Sequence, residues 1–133
     1  MSGKIKPRLG DCFYVSGKQF LDWCFMRPED APRLRLVHGR PTMTADPFIK
    51  MGHAWIEIDG KTVLDPSGIE LPVEVYYKVG QIDPTECIRY THDEYAKKLY
   101  ENETWGSWDL PEDAAETQLR NQLEREERVS GGV

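Results

Sequence analysis

The sequence predicts an α+β domain in which an N-terminal helix packs on an antiparallel β-sheet and acidic helices lie at the C-terminal end. Two patterns lead to this class. Apolar residues recur at helical spacing after Cys12, and alternating apolar and polar residues mark several short strands in the middle of the chain. The C-terminal residues are charged and favour helix. With 133 residues, the chain suits one domain with a modest core.

The first helix is expected from Cys12 to about Phe25, with apolar residues such as Phe13 and Phe20 on one side. Pro28 cannot continue a helix and ends it. Most free cysteines are small buried hydrophobes, and Cys24 and Cys87 are read in this way. Cys12 differs because a thiol at a helix N-terminus has its charged form stabilised by the helix dipole. It is the candidate nucleophile.

The segment from Gly52 to Pro66 predicts a β-hairpin with a turn at Asp59-Gly60. With a period of two, alternate side chains of the first strand point to opposite faces of the sheet. One face is expected to be core and the other to carry chemistry. The core face is assigned Ala54, Ile56 and Ile58, and the other face His53, Trp55 and Glu57.

The register of this hairpin decides whether Asp65 can reach His53. A two-residue loop, Asp59-Gly60, turns Asp65 to the face opposite His53. A three-residue loop, Ile58-Asp59-Gly60, with Gly60 in the left-handed conformation and a bulge, puts His53 directly across from Asp65. We predict the three-residue loop. A carboxylate opposite a histidine holds the ring in one tautomer and favours its charged form, which a general base needs.

The other elements follow from the same patterns. His38, on the strand expected before the hairpin, is a competing base, but no carboxylate has a defined register opposite it, so a structural or surface role is favoured. The sheet should have four to five strands. The expected elements are a strand in Leu34–Met43, a loop in Thr42–Gly52, strands in Leu71–Val79 and Cys87–Tyr90, and a helix over about His92–Tyr100 with Thr91 as N-cap.

The chain is divided into a core domain, residues 1–110, and a charged C-terminal helix with a disordered tail, residues 111–133. The apolar stripe of this helix is only Ala115, Leu119 and Leu123, which is too narrow for a self-supporting helix. We expect the segment to dock on the domain, to pair with another copy as a homodimer contact, or to fray.

The order Cys12, then His53-Ala54-Trp55, then Val63-Leu64-Asp65-Pro66 resembles the transglutaminase-like branch of the papain-like cysteine enzymes. The family's pattern is a Cys that opens a helix, a His-Ala-Trp strand and an Asp that closes the next strand. The resemblance covers the first half of the chain. It implies thiol-dependent acyl transfer or amide hydrolysis by a Cys-His-Asp triad (a cysteine peptidase, amidase or transglutaminase-like enzyme) on a papain-like core. Lys6 stands where papain-type enzymes carry a glutamine.

In this interpretation Cys12 is the nucleophile, His53 the general base and acid, and Asp65 the orienting carboxylate. The backbone N–H of Cys12 would stabilise the oxyanion. A peptide, a protein or a small amide or acyl compound is the expected substrate, with no cofactor and no metal. The candidate substrate-binding residues are Trp55, Arg40 and Trp105.

Arg40 belongs to a set of basic residues in the first half of the chain that can attract a carboxylate-bearing substrate, although scattered solvated charges are the simpler interpretation. Trp105 either packs under a loop or stacks on a substrate.

Two other classes of function stay open. One is a non-catalytic module that binds a peptide or a partner in the same cleft. The other is a zinc site formed by Cys12, His53 and Asp65, which lacks an identifiable fourth ligand.

Composition argues against several other classes. The net charge is −6, and the sequence contains no dense basic run interleaved with aromatic residues. Nucleic-acid binding is therefore not favoured. The first ten residues are polar and do not resemble a signal peptide, and no stretch approaches membrane-spanning length. The three cysteines cannot all pair and lack close metal-type spacing, which predicts reduced thiols and a cytoplasmic location.

Overall fold

The structure is a computed structural model that describes residues 11–45, 48–111 and 114–131. Its helices and strands confirm the α+β class. In chain order they are α1 (Asp11–Met26), β1 (Leu34–Gly39), β2 (Thr42–Ala45), β3 (Phe48–Lys50), β4 (His53–Ile58), β5 (Thr62–Leu64), β6 (Glu70–Pro72), α2 (Val73–Val79), β7 (Ile88–Tyr90), α3 (His92–Asn102) and α4 (Ala114–Gly131), with short 3-10 helices at Pro28–Arg33 and Pro84–Glu86.

Five strands form one antiparallel sheet in the order β6-β5-β4-β1-β7, and β2 and β3 form a separate two-stranded ribbon. The strand β4 lies at the centre, between β1 and β5. A central strand has both edges hydrogen-bonded, so its side chains are held in fixed positions. The sequence segment that carries the candidate histidine therefore occupies the most constrained strand of the sheet.

Both faces of the sheet are covered. Helices α1 and α3 bury one face, where Ala54 and Ile56 of β4 contact a core that includes Phe20 and Tyr95. Residues of and near α2 bury the other face around Trp55. The alternation predicted for β4 is thus confirmed, but the face assigned to chemistry is itself largely core, and only its His53 end remains partly open.

The turn between β4 and β5 has the predicted length of three residues but a different composition. Ile58 pairs with Thr62, so the loop is Asp59, Gly60 and Lys61 rather than Ile58-Asp59-Gly60. Gly60 has a φ of +67°, as predicted, and Asp59 a φ of +55°. The prediction that His53 lies directly across from Asp65 is wrong by two residues. A shift of two keeps a side chain on the same face, so Asp65 still lies on the face of His53.

Two secondary-structure predictions are wrong. The segment Thr42–Gly52 is a ribbon of β2 and β3 rather than a loop, because its two halves satisfy their backbone groups by pairing with each other. The segment Leu71–Val79 is a strand only to Pro72 and is then helix α2. Its apolar residues fit a helix because they also recur at positions i, i+3 and i+4, which face the sheet as Val73, Tyr76 and Tyr77.

The remaining elements agree with the sequence. The strand β1 lies beside β4, and β7 falls within the predicted Cys87–Tyr90. Helix α3 is capped as expected: the Thr91 side chain accepts a hydrogen bond from the Glu94 backbone N–H, and the Glu94 carboxylate accepts one from the Thr91 N–H. Of the three outcomes considered for the C-terminal helix, the structure has it docked on the domain, against β3.

Candidate active site

The candidate site lies at the N-terminal end of β4, where α1 begins. Cys12 is the second residue of α1, and α1 packs along β4. The buried Ser16 hydroxyl donates to the carbonyl of Ala54 at 3.1 Å, which ties the first turns of α1 to the start of the strand. This contact sets the position of Cys12 relative to His53. Lys6, at the position of the papain-type glutamine, lies outside the described residues.

His53 and Asp65 are in hydrogen-bond contact. His53 Nε2 lies 3.1 Å from Asp65 Oδ1, and the two side chains are 23% and 19% exposed. The contact is possible because the two residues share a face of the sheet and Asp65 stands just beyond the end of β5. Partial burial strengthens the interaction, because less water screens it.

Two further donors hold the Asp65 carboxylate. The Tyr76 hydroxyl donates to Oδ1 at 2.5 Å, and the backbone N–H of Ser67 donates to Oδ2 at 3.0 Å. Burial raises the pKa of Asp65, but the hydrogen bonds from His53, Ser67 and Tyr76 outweigh it and hold this pKa well below its usual range. Asp65 is therefore a fixed negative charge at neutral pH.

His53 has a partner on each side. Burial lowers its pKa, but the hydrogen bond and the charge of Asp65, together with the nearby Cys12, raise it more, to about 9. Nε2 faces Asp65, so Nδ1 is the ring nitrogen left for Cys12. The structure thus brings together the three residues that the sequence singled out, in the order Cys12, His53, Asp65.

Tyr76 is a site residue that the sequence reasoning missed. It was assigned to a strand, whereas in α2 its hydroxyl reaches Asp65 and its ring contacts Trp55 at a centroid distance of 5.2 Å. A helical reading of Val73, Tyr76 and Tyr77 was the available signal. Ser67 had a clearer signal, because Asp-Pro-Ser-Gly is a turn sequence in which the Asp side chain accepts from a backbone N–H two residues later.

Trp55 has to be reassigned from substrate contact to support. It is fully buried, and its Nε1–H donates to Glu57 Oε2 at 3.0 Å. Glu57 is buried too and also accepts from the Tyr77 hydroxyl and from Arg89 Nε at 3.1 Å. This network fixes α2 on the sheet and so positions Tyr76. A substrate cannot reach the Trp55 ring.

Arg40 is also buried and does not line an open rim. It is 7% exposed, and its Nη2 lies 2.6 Å from Oε1 of Glu116 in α4. The other carboxylate oxygen of Glu116 accepts from the backbone N–H of Gly52 at 2.9 Å. Glu116 of the chain itself thus occupies the position at Arg40 in which a substrate carboxylate is expected, and the substrate role of Arg40 stays a prediction.

Trp105 is partly buried in the segment after α3. Its ring contacts that of Tyr14 at a centroid distance of 5.2 Å, and Tyr14, two residues after Cys12 in α1, is 45% exposed. A side chain at Gly17 would clash with Trp105, which shows how closely the indole lies against α1. Both interpretations of Trp105, packing and substrate contact, agree with this position, and its substrate role stays a prediction.

His38 occupies the core rather than the site. Its ring is fully buried among Phe13, Tyr90 and Trp108, and within the described residues neither ring nitrogen has a hydrogen-bond partner. Burial lowers the pKa of His38 to about 4, although the charge of Asp109 opposes this. The expected structural role is the one observed, and a neutral imidazole of this kind does not compete as a base.

The three cysteines are free thiols. Within residues 11–45, 48–111 and 114–131, no group of three or more His, Cys, Asp or Glu side chains is arranged to hold a metal ion. In the same part of the chain, none of the helices has the length and apolar character needed to cross a membrane. Comparison with protein-family models, with curated proteins and with solved structures finds no match.

Proposed function

We propose that this protein uses Cys12 for acyl transfer or for hydrolysis of an amide or related acyl bond. The observation that carries the proposal is the position of His53, which contacts the Asp65 carboxylate through Nε2 at 3.1 Å and lies close enough to Cys12 for that cysteine to raise its pKa. A thiol, an imidazole and a partly buried carboxylate in this order form the arrangement of thiol-dependent hydrolases and acyltransferases.

The proposed reaction starts from His53 as an imidazolium that already holds the Cys12 proton on Nδ1, in line with its pKa of about 9. Sγ attacks the acyl carbon, and the backbone N–H of Cys12 donates to the oxyanion that forms. The imidazolium then gives its proton to the leaving amine or alcohol, and a thioester remains. Water or an acceptor amine, deprotonated by His53, attacks the thioester and releases Cys12. Asp65, held by Tyr76, keeps the imidazole oriented throughout.

The papain-like character of the fold is part of this proposal. Its support is the cysteine at the start of a helix that packs on an antiparallel sheet, with the histidine on the central strand and the carboxylate at the end of the next. We also propose a cytoplasmic location, since a reducing compartment keeps a catalytic thiol free.

A non-catalytic module that binds a peptide or partner is the second candidate. The observation in its favour is a groove of about 750 Å³ along α1, lined by exposed or half-buried residues that include Tyr14, Trp23 and Met26 and reaching Pro66 beside the site. The same groove can hold the substrate of an enzyme. Reactivity of Cys12 therefore decides between the two, and metal analysis of purified protein tests the zinc alternative.

The decisive experiment is a screen of acyl-type electrophiles with intact-mass readout. Wild type, Cys12→Ala and His53→Ala are compared, with Cys24→Ala as the matched thiol control. A single adduct is expected on wild type and on Cys24→Ala, none on Cys12→Ala and much less on His53→Ala. Equal labelling of all three cysteines, unaffected by His53→Ala, would favour the binding module.

A further inference from the structure

Arg40 and Glu116 join two distant parts of the chain beside the catalytic residues. Arg40 follows β1, and Glu116 lies in the first turn of α4. Their side chains are 7% and 1% exposed, and Oε1 of Glu116 accepts from Arg40 Nη2 at 2.6 Å and from Nε at 3.2 Å. Two nitrogens of one guanidinium therefore donate to this carboxylate, which is buried from water.

The second oxygen of Glu116 links this pair to the catalytic residues. It accepts from the backbone N–H of Gly52, the residue before His53. A side chain on Gly52 would begin 3.2 Å from the ring of Phe13, the residue after Cys12. The carboxylate thus lies where the chain neighbours of both catalytic residues meet.

The set of donors is chemically specific. A guanidinium and a backbone N–H that converge on the two oxygens of one carboxylate are donors typical of carboxylate recognition. A buried ion pair is also weak evidence for stability, because the free energy of removing both charges from water offsets most of their attraction. Stability alone therefore does not account for a carboxylate held here.

The rest of α4 supports a displaceable contact. The helix packs on β3, and Leu123 of its narrow apolar stripe is 37% exposed. Of the two leucines in that stripe, Leu119 is partly buried and Leu123 is exposed, so these two residues contribute little apolar burial to the contact of the helix with the domain.

We propose that Arg40 and the Gly52 N–H form a subsite for a substrate carboxylate and that Glu116 fills this subsite as an internal competitor. The proposal rests on the function proposed above and narrows its substrate class to acyl compounds or peptides that carry a free carboxylate close to the reacting carbonyl. Helix α4 covers the subsite until such a substrate displaces Glu116.

The test uses the full chain with Glu116→Ala, which removes the competitor and leaves room for a small carboxylate. Thermal unfolding is followed in about 0.5 M acetate and in chloride at equal ionic strength. Acetate should raise the midpoint of Glu116→Ala by about 3 °C or more relative to chloride. Wild type, in which Glu116 competes with acetate for the subsite, should respond much less, and the double variant Arg40→Gln with Glu116→Ala should not respond. Glu124→Ala, on the same helix, is the matched control and should respond no more than wild type.

Equal midpoints of Glu116→Ala in acetate and chloride overturn the proposal. If this variant does not fold in chloride, recovery of its circular dichroism in acetate supports the subsite and no recovery counts against it. Wild type gives a second test by hydrogen exchange, because acetate in large excess competes with Glu116. Faster amide exchange in residues 114–131 in acetate than in chloride is expected, and unchanged exchange contradicts the proposal.

Two ligands then distinguish the sources of the carboxylate. N-acetylglycine offers a chain-terminal carboxylate and N-acetylglutamate amide offers a side-chain carboxylate, and the larger stabilisation of Glu116→Ala identifies the source. None of these measurements needs Cys12 to react. An inert Cys12 with a clear acetate response defeats the proposed catalysis alone, whereas a reactive Cys12 without an acetate response defeats only the subsite.

Discussion

His53 and His38 lie on neighbouring strands and are both largely enclosed, yet their protonation differs in direction. The pKa of His53 is raised to about 9, whereas the pKa of His38 is lowered to about 4. Burial lowers the pKa of both rings. His53 also has Asp65 and Cys12 as partners, while His38 is surrounded by aromatic rings. The presence of a charged partner, and not the depth of burial, therefore decides which histidine can accept and donate a proton near neutral pH.

The largest expected effect is on the reactivity of Cys12. With His53 protonated beside the sulfur, Cys12 should alkylate with iodoacetamide faster than Cys24 or Cys87, because burial raises the pKa of both of those thiols. His53→Ala should lower any catalytic rate by about 10²- to 10⁴-fold and slow the alkylation of Cys12. Mass spectrometry of alkylated peptides between about pH 5 and pH 9 measures this.

His38→Leu is the control for that experiment, since it removes the other enclosed histidine without touching the site. It should leave the alkylation profile of Cys12 in place. A profile that ignores His53→Ala, with Cys12 no faster than Cys24, would mean that the sulfur and the imidazole do not act together.

The next effect concerns the carboxylate that distinguishes the two histidines. Asp65→Asn should keep the fold but lower the catalytic rate by about 10²- to 10⁴-fold, because an amide no longer fixes the tautomer of His53 or stabilises the imidazolium. Tyr76→Phe removes one of the donors to Asp65 and should cost less, about 10-fold. Rates of acyl-enzyme formation with the best electrophile of the screen give both numbers.

The relative rates of these two variants test whether Tyr76 acts only through Asp65. A Tyr76→Phe variant as impaired as Asp65→Asn would assign Tyr76 a direct role in the reaction. Tyr90→Phe, which removes a tyrosine hydroxyl that donates to Asp109 and not to Asp65, is the matched control and should retain most activity.

The faces of β4 could be predicted from the sequence, whereas the neighbours of its side chains could not. A period of two survives a register error of two residues, so His53 and Asp65 were correctly assigned to one face although the pairing was not. The segment Val73-Glu74-Val75-Tyr76-Tyr77 satisfies both a strand and a helix pattern. The local pattern is therefore ambiguous, and packing of Tyr77 against the sheet selects the helix.

Long-range polar contacts could not be predicted from the sequence, for a different reason. Arg40 and Glu116 are 76 residues apart in sequence, and each looks like an ordinary surface charge until the fold buries both. Glu57 likewise alternates like a solvent-facing residue, and its burial depends on Tyr77 and Arg89 arriving from other elements. Cys12, His53 and Asp65 could be singled out from the sequence because they form a motif, whereas the residues that support them do not form one.

Stability against pH should separate the histidines without any assay of activity. The folded pKa of His38, about 4, lies below its unfolded value of about 6.5, so its folded-state contribution is intact above about pH 6.5 and is lost as the pH falls towards 4. A shift of this size corresponds to about 3 kcal/mol of unfolding free energy. His53 has the opposite sign: its contribution is complete below about pH 6.5 and is lost as the pH rises through about 9.

Urea unfolding of wild type, His38→Leu and His53→Ala across this range tests the two slopes. His38→Leu should weaken the dependence of the unfolding free energy on pH at acid pH, and His53→Ala should weaken it at alkaline pH. His92→Ala, which changes a half-exposed histidine at the start of α3, should alter neither. If the unfolding free energy of His38→Leu still falls at acid pH as it does in wild type, the carboxylates alone cause this pH dependence.

The smallest effect is expected at the turn that sets the hairpin register. Gly60 has a φ of +67°, a conformation that a β-branched residue resists, so Gly60→Val should lower the free energy of unfolding by about 1 kcal/mol or more. The cause is local strain alone, because a side chain at this position meets no atom within 4 Å. Gly60→Asn is the matched control, since Asn tolerates the left-handed region, and it should cost only a few tenths of a kcal/mol. Urea midpoints at constant m-value give the comparison. Because the turn fixes the register that brings Asp65 to His53, Gly60→Val should also slow Cys12 alkylation slightly. If the Gly60→Val variant is as stable as Gly60→Asn, the loop relaxes without transmitting strain to β4 or β5.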